Sequence, residues 1–206
     1  MQRPAQYATV GLACLLLSAL SHAATISTTT TLAGANENPA NGSTATGSSF
    51  VVLDTTTHQL RVAASFSGLS ANTTAAHIHC CTSPPANVGV ATTMPAFAGF
   101  PLGVTSGSFD QTYDTAQAST WNPAFVTNNG GTTAGAEAAL AVGLAAGQAY
   151  VNVHTSTYPA GEIRGFLVPQ VSPVAGTIPT LSEWGLIALV LLLGIAAWTV
   201  TRRRAG

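Results

Sequence analysis

The sequence predicts an all-β domain, an antiparallel, Greek-key-like β-sandwich with a short helical insertion, and three observations support this class. Residues 59–66 alternate between apolar and polar side chains, which is typical of a half-buried strand. Residues 150–154 and 162–168 are two further segments rich in β-branched and aromatic residues, and the proline and glycine between them predict a hairpin. The chain is 47% hydrophobic, so its low charged fraction of 6% does not indicate disorder.

The remaining elements follow from shorter signals. Strands are expected near residues 28–32, 50–53, 75–79 and 107–109, where β-branched, aromatic or alternating residues lie between turn signals. Two alanine-rich segments, residues 115–125 and 134–146, favour helix and are separated by an Asn-Asn-Gly-Gly turn. We therefore expect one domain over residues 25–168, with strands joined by hairpins and one helical excursion.

The first 24 residues have the pattern of a secretory signal peptide. Arg3 supplies a positive start, residues 8–20 are an apolar run, and Ser21-His22-Ala23 offers the small residues of a cleavage site. Residues 1–24 are therefore expected to be removed during export, and the mature domain is expected to fold outside the cytoplasm.

The other end of the chain has a second apolar run. Residues 184–200 carry no charge, Trp184 and Trp198 stand near the ends of the run, and three arginines follow at 202–204. This pattern predicts a short transmembrane helix with its C-terminus in the cytoplasm, because basic residues stay on the inner side. Residues 169–177, which contain Pro169, Pro173 and Gly176, are expected to form an exposed linker to this helix.

The segment before the apolar run resembles a known sorting signal. The residues that carry the resemblance are Ile178, Pro179, Thr180, Leu181, Trp184 and Gly185, followed by the apolar run and the arginines. Together, residues 178–206 resemble the IPTL-CTERM tail. The resemblance implies a Gram-negative bacterium and a partner of the exosortase type, a membrane transpeptidase. It also implies a transient membrane anchor, followed by transfer to the cell surface or to an exopolysaccharide.

Three blocks in the body of the chain resemble a second family. They are Ala76-His77-Ile78-His79, the segment AYVNVHT at 149–155, and the segment PAGEIRG at 159–165, and an early Asn36-Glu37-Asn38 fits as well. In this order they resemble the CHRD (chordin-type) domain. In animal chordin, the family is associated with binding secreted growth factors, whereas membership implies no general activity for bacterial exported proteins. Cys80 and Cys81 stand where relatives commonly have glycine.

Three histidines form the candidate metal site. His77 and His79 are two residues apart on a predicted strand and therefore face the same side of the sheet, as do Asn152 and His154 on another. If these strands are neighbours, His77, His79 and His154 converge and can bind copper or zinc, which both accept neutral imidazole. The alternatives are a hydrogen-bonded polar cluster and plain surface histidines. His58 lies in a turn and is expected to be exposed.

Cys80 and Cys81 are the only cysteines after the signal peptide. In an oxidising compartment they are expected to form a vicinal disulfide. Free or intermolecular thiols and metal ligation beside His79 remain open. Ligation of one ion by both is disfavoured, because adjacent side chains on a strand point to opposite faces.

Glu162 and Arg164 lie two apart on one strand and are expected to take part in a structural ion pair.

The sequence also excludes several functions. No paired carboxylates, nucleophile motif or phosphate-binding loop is present. The chain has no lysine, and only Arg61 and Arg164 lie between its ends, which argues against a nucleic-acid partner. We expect a non-enzymatic binding or structural module of the cell envelope or extracellular matrix, with exopolysaccharide or an extracellular protein as its partner. The alternative is a redox enzyme that uses the histidines and copper or zinc.

Overall fold

The structure is a computed structural model that describes residues 25–170 and, further along, residues 185–186, 188–193, 198 and 202. Its strands are β1 (Thr25–Ala33), β2 (Thr46–Asp54), β3 (Gln59–Ser67), β4 (Thr73–Cys80), β5 (Gly107–Asp114), β6 (Ala149–Thr155), β7 (Ile163–Phe166) and β8 (Val168–Pro169). Its helices are α1 (Pro123–Asn128) and α2 (Thr133–Ala145), and two single 3₁₀ turns cover Gly34–Asn36 and Ala118–Thr120.

The strands form one antiparallel, curled sheet. Their order is β4-β6-β7-β1-β2-β3-β5, and β8 pairs with β1 beside β7. The backbone N–H of Thr73, at the start of edge strand β4, donates to the carbonyl of Val104, just before the other edge strand, β5. The all-β antiparallel class is thus confirmed. The predicted division into the two sheets of a sandwich is not confirmed. The strands form one continuous sheet, because β1 pairs with β2 on one side and with β7 and β8 on the other.

The alternating pattern of the central strands builds the core. In β3, Leu60, Val62, Ala64 and Phe66 are buried while their neighbours are exposed or half-buried. Strands β1, β2 and β3 form an antiparallel meander in which each neighbouring pair is joined over nine residues without interruption. The buried residues of one strand therefore lie beside those of the next. The predicted hairpin at the end of the domain is also present, as the antiparallel pair β6–β7.

The helical excursion lies between β5 and β6, as expected, but its first helix begins later than the alanine content suggested. Asn122 accepts a hydrogen bond from the N–H of Ala124, and Pro123 occupies the first helical turn, so α1 starts there. Residues 115–117 are not helical. In α2, Thr132 caps the start through the N–H of Gly135, and Leu140 and Leu144 face the core.

The edge of β4 is covered by a loop. The N–H of Ala91 donates to Ile78, the N–H of Phe97 donates to Ala76, and the N–H of Cys80 donates to Gly89. Strand β6 lies on the other side of β4, and all seven of its residues are buried. The two strands that carry the predicted histidines are therefore neighbours and are enclosed on both sides.

The predictions for the chain ends concern residues that the structure describes only in part. The signal peptide, residues 171–177 of the linker and the sorting residues from Ile178 to Trp184 lie outside the described residues. Pro169, the first residue of the expected linker, belongs to β8. The described residues contain no helix long and apolar enough to cross a membrane, and part of the predicted 184–200 helix lies outside them.

Candidate metal centre

Strand register brings the three predicted histidines together. In the β4–β6 pair, His77 lies opposite Asn152, His79 opposite Tyr150, and His154 opposite Ala75, so all three rings leave the same face. The ring centroid of His77 lies 4.6 Å from that of His154 and 4.7 Å from that of His79. One ring nitrogen from each residue lies within 4.8 Å of the others, which is close enough for a single ion to bridge them.

Backbone carbonyls orient two of the rings. The Nδ1 of His79 lies 2.6 Å from the carbonyl oxygen of Val88, and the Nδ1 of His154 lies 3.0 Å from that of Pro159. A carbonyl oxygen only accepts, so each Nδ1 carries the proton and each Nε2 presents a bare lone pair. This arrangement, with one nitrogen donating to the backbone and the other free, is the one that metal-ligating histidines use.

Aromatic contacts hold the ring of His79 in place. Tyr150 stacks on it with centroids 4.5 Å apart and planes inclined by 8°. The guanidinium of Arg164 lies 4.8 Å from the centroid of Tyr150. Tyr150 also exchanges 3.3 Å hydrogen bonds with the backbone of Val88, the residue whose carbonyl holds His79. The imidazole is therefore fixed before any ligand arrives.

Unpartnered polar atoms are concentrated at this place. Among residues 25–170, five buried side-chain nitrogen or oxygen atoms lack a hydrogen-bond partner: Glu37 Oε1, His77 Nδ1, His79 Nε2, Asn152 Oδ1 and His154 Nε2. Three are histidine nitrogens, and Asn152 lies opposite His77. Buried polar groups without partners are rare in folded proteins, and a cluster of them indicates a missing partner.

Burial keeps the three imidazoles neutral. It lowers the pKa of His77 to about 3, with further lowering by His154 and His79, and lowers the pKa of His79 to about 4. The pKa of His154 is also lowered by burial, against a smaller raising effect of its bond to Pro159. At neutral pH the cluster therefore offers three uncharged nitrogen donors.

Arg164 and Glu37 form an ion pair beside the histidines, with 3.7 Å between Nε and a carboxylate oxygen. The guanidinium also donates to the carbonyls of Asn36 and Pro85 and to the side chain of Asn87, at 2.5–2.8 Å. Burial raises the pKa of Glu37 to about 7, although Arg164 and a hydrogen bond from Asn152 lower it. Arg164 is 1% exposed and each of its three guanidinium nitrogens has a hydrogen-bond acceptor, so its role is structural.

Gly161 lies where the side chains of Asn152 and Glu37 approach each other. Its φ of +132° is one that residues with side chains rarely adopt. A Cβ there would stand 2.7 Å from Asn152 Oδ1 and 2.8 Å from Glu37 Oε1. The absence of a side chain at Gly161 therefore leaves room for the side chains of Asn152 and Glu37.

Glu162 has a different environment from Arg164. Its carboxylate is fully buried and accepts from Ser43 Oγ, from the backbone N–H and Oγ of Ser70, and from Thr155 Oγ1, at 2.6–3.0 Å. These contacts tie the loop before β2 and the loop before β4 to the end of β6. The predicted ion pair of Glu162 and Arg164 thus resolves into two separate arrangements, in which Arg164 pairs with Glu37 and Glu162 accepts from hydroxyl and backbone donors.

Cys80 and Cys81 are joined by a disulfide. Cys80 follows His79 on β4, so its side chain points to the opposite face, where the disulfide packs against Gly143 of α2. The sulfurs thus lie away from the histidine cluster. His58 also lies apart from the cluster: it is exposed and its Nδ1 is 3.0 Å from a carboxylate oxygen of Glu137.

Comparison with known proteins identifies the domain. The CHRD domain matches residues 28–167, which is most of the chain and covers every residue of the site. The chain belongs to the CHRD family. The IPTL-CTERM motif matches residues 178–204. Neither the search of curated proteins nor the search of solved structures gave a match.

The motif blocks of this CHRD domain converge on the site. The block around His77 and the block around His154 supply the imidazoles, and the GEIRG block supplies Gly161, Glu162 and Arg164. The early Asn36-Glu37 block supplies the partners of Arg164. The carbonyls of Val88 and Pro159, which orient two rings, were not predicted, because a backbone acceptor has no residue-type signature. The role of Glu37 was also missed.

Proposed function

We propose that this CHRD protein is a surface-sorted, metal-binding module whose ion is held by His77, His79 and His154. The observation that supports the proposal is the convergence of three neutral imidazoles: one ring nitrogen from each lies within 4.8 Å of the others, and each ring has a buried nitrogen without a hydrogen-bond partner. Imidazole ligands suit copper and zinc, and hard cations that require oxygen ligands fit poorly here. The site residues therefore fit copper or zinc, the metals of one of the three possibilities that the sequence leaves open for these histidines.

The proposed role is binding and not turnover. Arg164 uses its donors on Asn36, Asn87 and Pro85, and Glu162 is saturated by four hydrogen bonds. Arg164 and Glu162 are thus committed to holding loops, and rigid loops favour retention of an ion. A redox enzyme built on the same histidines is the alternative, and it predicts turnover of an electron donor by the metal-loaded protein.

Metal analysis of the purified full-length protein tests the proposal. We expect about one equivalent of copper or zinc per chain, and we expect its loss in His77→Ala and His154→Ala variants that keep their circular dichroism spectrum. The matched control is His58→Ala, because His58 lies in a turn outside the cluster. A wild-type protein that takes up neither metal would contradict the proposal.

We further propose that the tail directs transient anchoring. The IPTL-CTERM motif supports processing by an exosortase-type transpeptidase, because it is a C-terminal sorting signal and the motif ends in an apolar run with terminal arginines. In this scheme the signal peptide starts export in a Gram-negative cell. The apolar run then stops transfer with Arg202 and its neighbours in the cytoplasm. The CHRD domain is released to the cell surface or matrix, where exopolysaccharide or another protein is its proposed neighbour.

Mass mapping of the C-terminus tests the sorting proposal. Protein recovered from the cell surface should lack the residues after the IPTL motif, and cells without the transpeptidase should retain them. Pro179→Ala should slow cleavage, because proline keeps the preceding residue extended for a protease cleft. Surface protein that keeps Trp184 to Gly206 on most molecules would refute transient anchoring.

A further inference from the structure

The ligand set of the three-histidine site contains no anionic side chain. His79 and His154 donate from Nδ1 to carbonyls and present Nε2, and His77 contributes a third neutral ring. The only cysteine sulfurs of the described residues are oxidised to a disulfide and face the other side of β4. The protein thus supplies three neutral nitrogen donors to an ion, and no thiolate.

The charges around the site do not compensate a bound cation. The Glu37 carboxyl lies 3.7 Å from Arg164 Nε, so whatever charge it carries is opposed by the full positive charge of the guanidinium. The Arg164 guanidinium lies 4.8 Å from the centroid of the Tyr150 ring, and that ring stacks on His79, so the positive charge stands close to the cluster. Glu162 is held by four hydrogen bonds from Ser43, Ser70 and Thr155. An ion bound by the three imidazoles therefore keeps its full charge inside the protein.

The cost of that burial depends steeply on the charge of the ion. The Born free energy of moving an ion out of water scales with the square of its charge, so burying a divalent ion costs about four times as much free energy as burying a monovalent ion of equal size. His77 and His154 are 5% and 7% exposed, so solvent does little to reduce the difference. Zn(II) would also need a fourth ligand beside the three imidazoles, and that ligand would have to be a water molecule in this buried site.

We infer that the site selects monovalent copper, Cu(I), over Zn(II). This inference rests on the proposed metal-binding function and specifies its ion. Three neutral imidazoles satisfy Cu(I), which accepts nitrogen ligands in low coordination numbers and carries one charge. Alkali cations, the other monovalent ions, require oxygen ligands that the cluster does not offer.

Competition titrations with the full-length protein in detergent test the inference. Cu(I) is supplied anaerobically against a chromogenic Cu(I) chelator, and Zn(II) against a chromogenic zinc chelator. We expect one Cu(I) per chain with a dissociation constant at least about 100-fold below that of Zn(II). Equal or tighter binding of Zn(II) overturns the selectivity and leaves the metal-binding function standing. Binding of neither ion overturns both.

Two variants sharpen the test. Asn152 lies opposite His77 with an unpartnered oxygen, so Asn152→Asp places an anion at the cluster without changing its size. We expect this variant to gain affinity for Zn(II) at least about tenfold more than for Cu(I), because the attraction scales with ion charge. A gain for Cu(I) as large as that for Zn(II) argues against the charge mechanism.

The second variant excludes sulfur as the ligand. Cys80→Ala/Cys81→Ala removes both sulfurs from the far face of β4 and should keep the wild-type Cu(I) affinity within about twofold, a change under about 0.5 kcal/mol. Loss of Cu(I) binding in this variant would show that reduced thiols, and not the three imidazoles, hold the ion, and would overturn the inference.

Discussion

Gly143 is the contact point between helix α2 and the disulfide, and replacing it by alanine tests that packing. A Cβ at this position would stand 2.5 Å from Cys81 Sγ and closer still to Cys80 Sγ, well inside van der Waals contact. Gly143 is also buried within α2. The new methyl group therefore has to displace either the helix or the disulfide.

Two opposing effects set the magnitude. Glycine to alanine inside a helix ordinarily stabilises by about 1 kcal/mol. Overpacking a well-filled site costs about 1–3 kcal/mol, and both sulfurs are covalently tied and cannot rotate away. We expect Gly143→Ala to lower the free energy of unfolding by up to about 2 kcal/mol, which is the overpacking cost less the helix gain.

Urea denaturation of a double-mutant cycle measures the effect. In a Cys80→Ala/Cys81→Ala background the obstructing sulfurs are gone, so Gly143→Ala should become stabilising by up to about 1 kcal/mol. Ala138→Gly, at an exposed position of the same helix, calibrates the helix term. A stabilising effect of Gly143→Ala in the disulfide-containing protein, equal to that in the alanine background, would refute the packing argument.

Three further changes test the electrostatics. Glu162→Gln should destabilise the domain by about 2–4 kcal/mol in urea titrations, because a buried carboxylate loses charge-assisted bonds; an effect under about 0.5 kcal/mol would contradict this. The pKa of His58 is raised by its hydrogen bond to Glu137 and by the charge of Glu137. The stabilisation of the folded protein by this pair is therefore fully present below pH 6.5 and is lost as pH rises through the folded-state pKa of His58. The stability difference between wild type and His58→Gln should therefore shrink from pH 6 to pH 8, and a constant difference would count against the pair. Asp110→Asn should change stability by less than about 1 kcal/mol, since its pair with Arg61 is half exposed and screened; a larger, salt-independent loss would be unexpected.

Local patterns predicted the strands better than their arrangement. The alternation in β3 and the hairpin β6–β7 are readable because each depends on residues close in sequence. The order of the strands in the sheet cannot be read from local patterns, because β4 follows β3 in the chain yet pairs with β6 at the opposite edge. The start of α1 was readable in principle from the Asn122-Pro123 cap, which the alanine content obscured.

The candidate site was predictable as a set of side chains and not as a geometry. Period-two spacing placed His77 with His79 and Asn152 with His154 on common faces, and the β4–β6 register then joined the two pairs. The partner of Arg164 could not be read from spacing. Its nearest acid in sequence, Glu162, is engaged elsewhere, and the carboxylate it meets is Glu37 in the loop after β1.

Strand β8 determines how the domain would carry a mechanical load. In a protein tethered through its tail, tension enters at Gln170, whose N–H donates to the carbonyl of Ser27 at 2.7 Å. Only two residue pairs join β8 to β1, so this short ladder is the first to peel. Peeling then reaches Leu167, which is fully buried and bonded to Ala149 of β6. The β8–β1 pairing thus extends first under load, and force reaches the histidine-bearing strand β6 only after that pairing has broken.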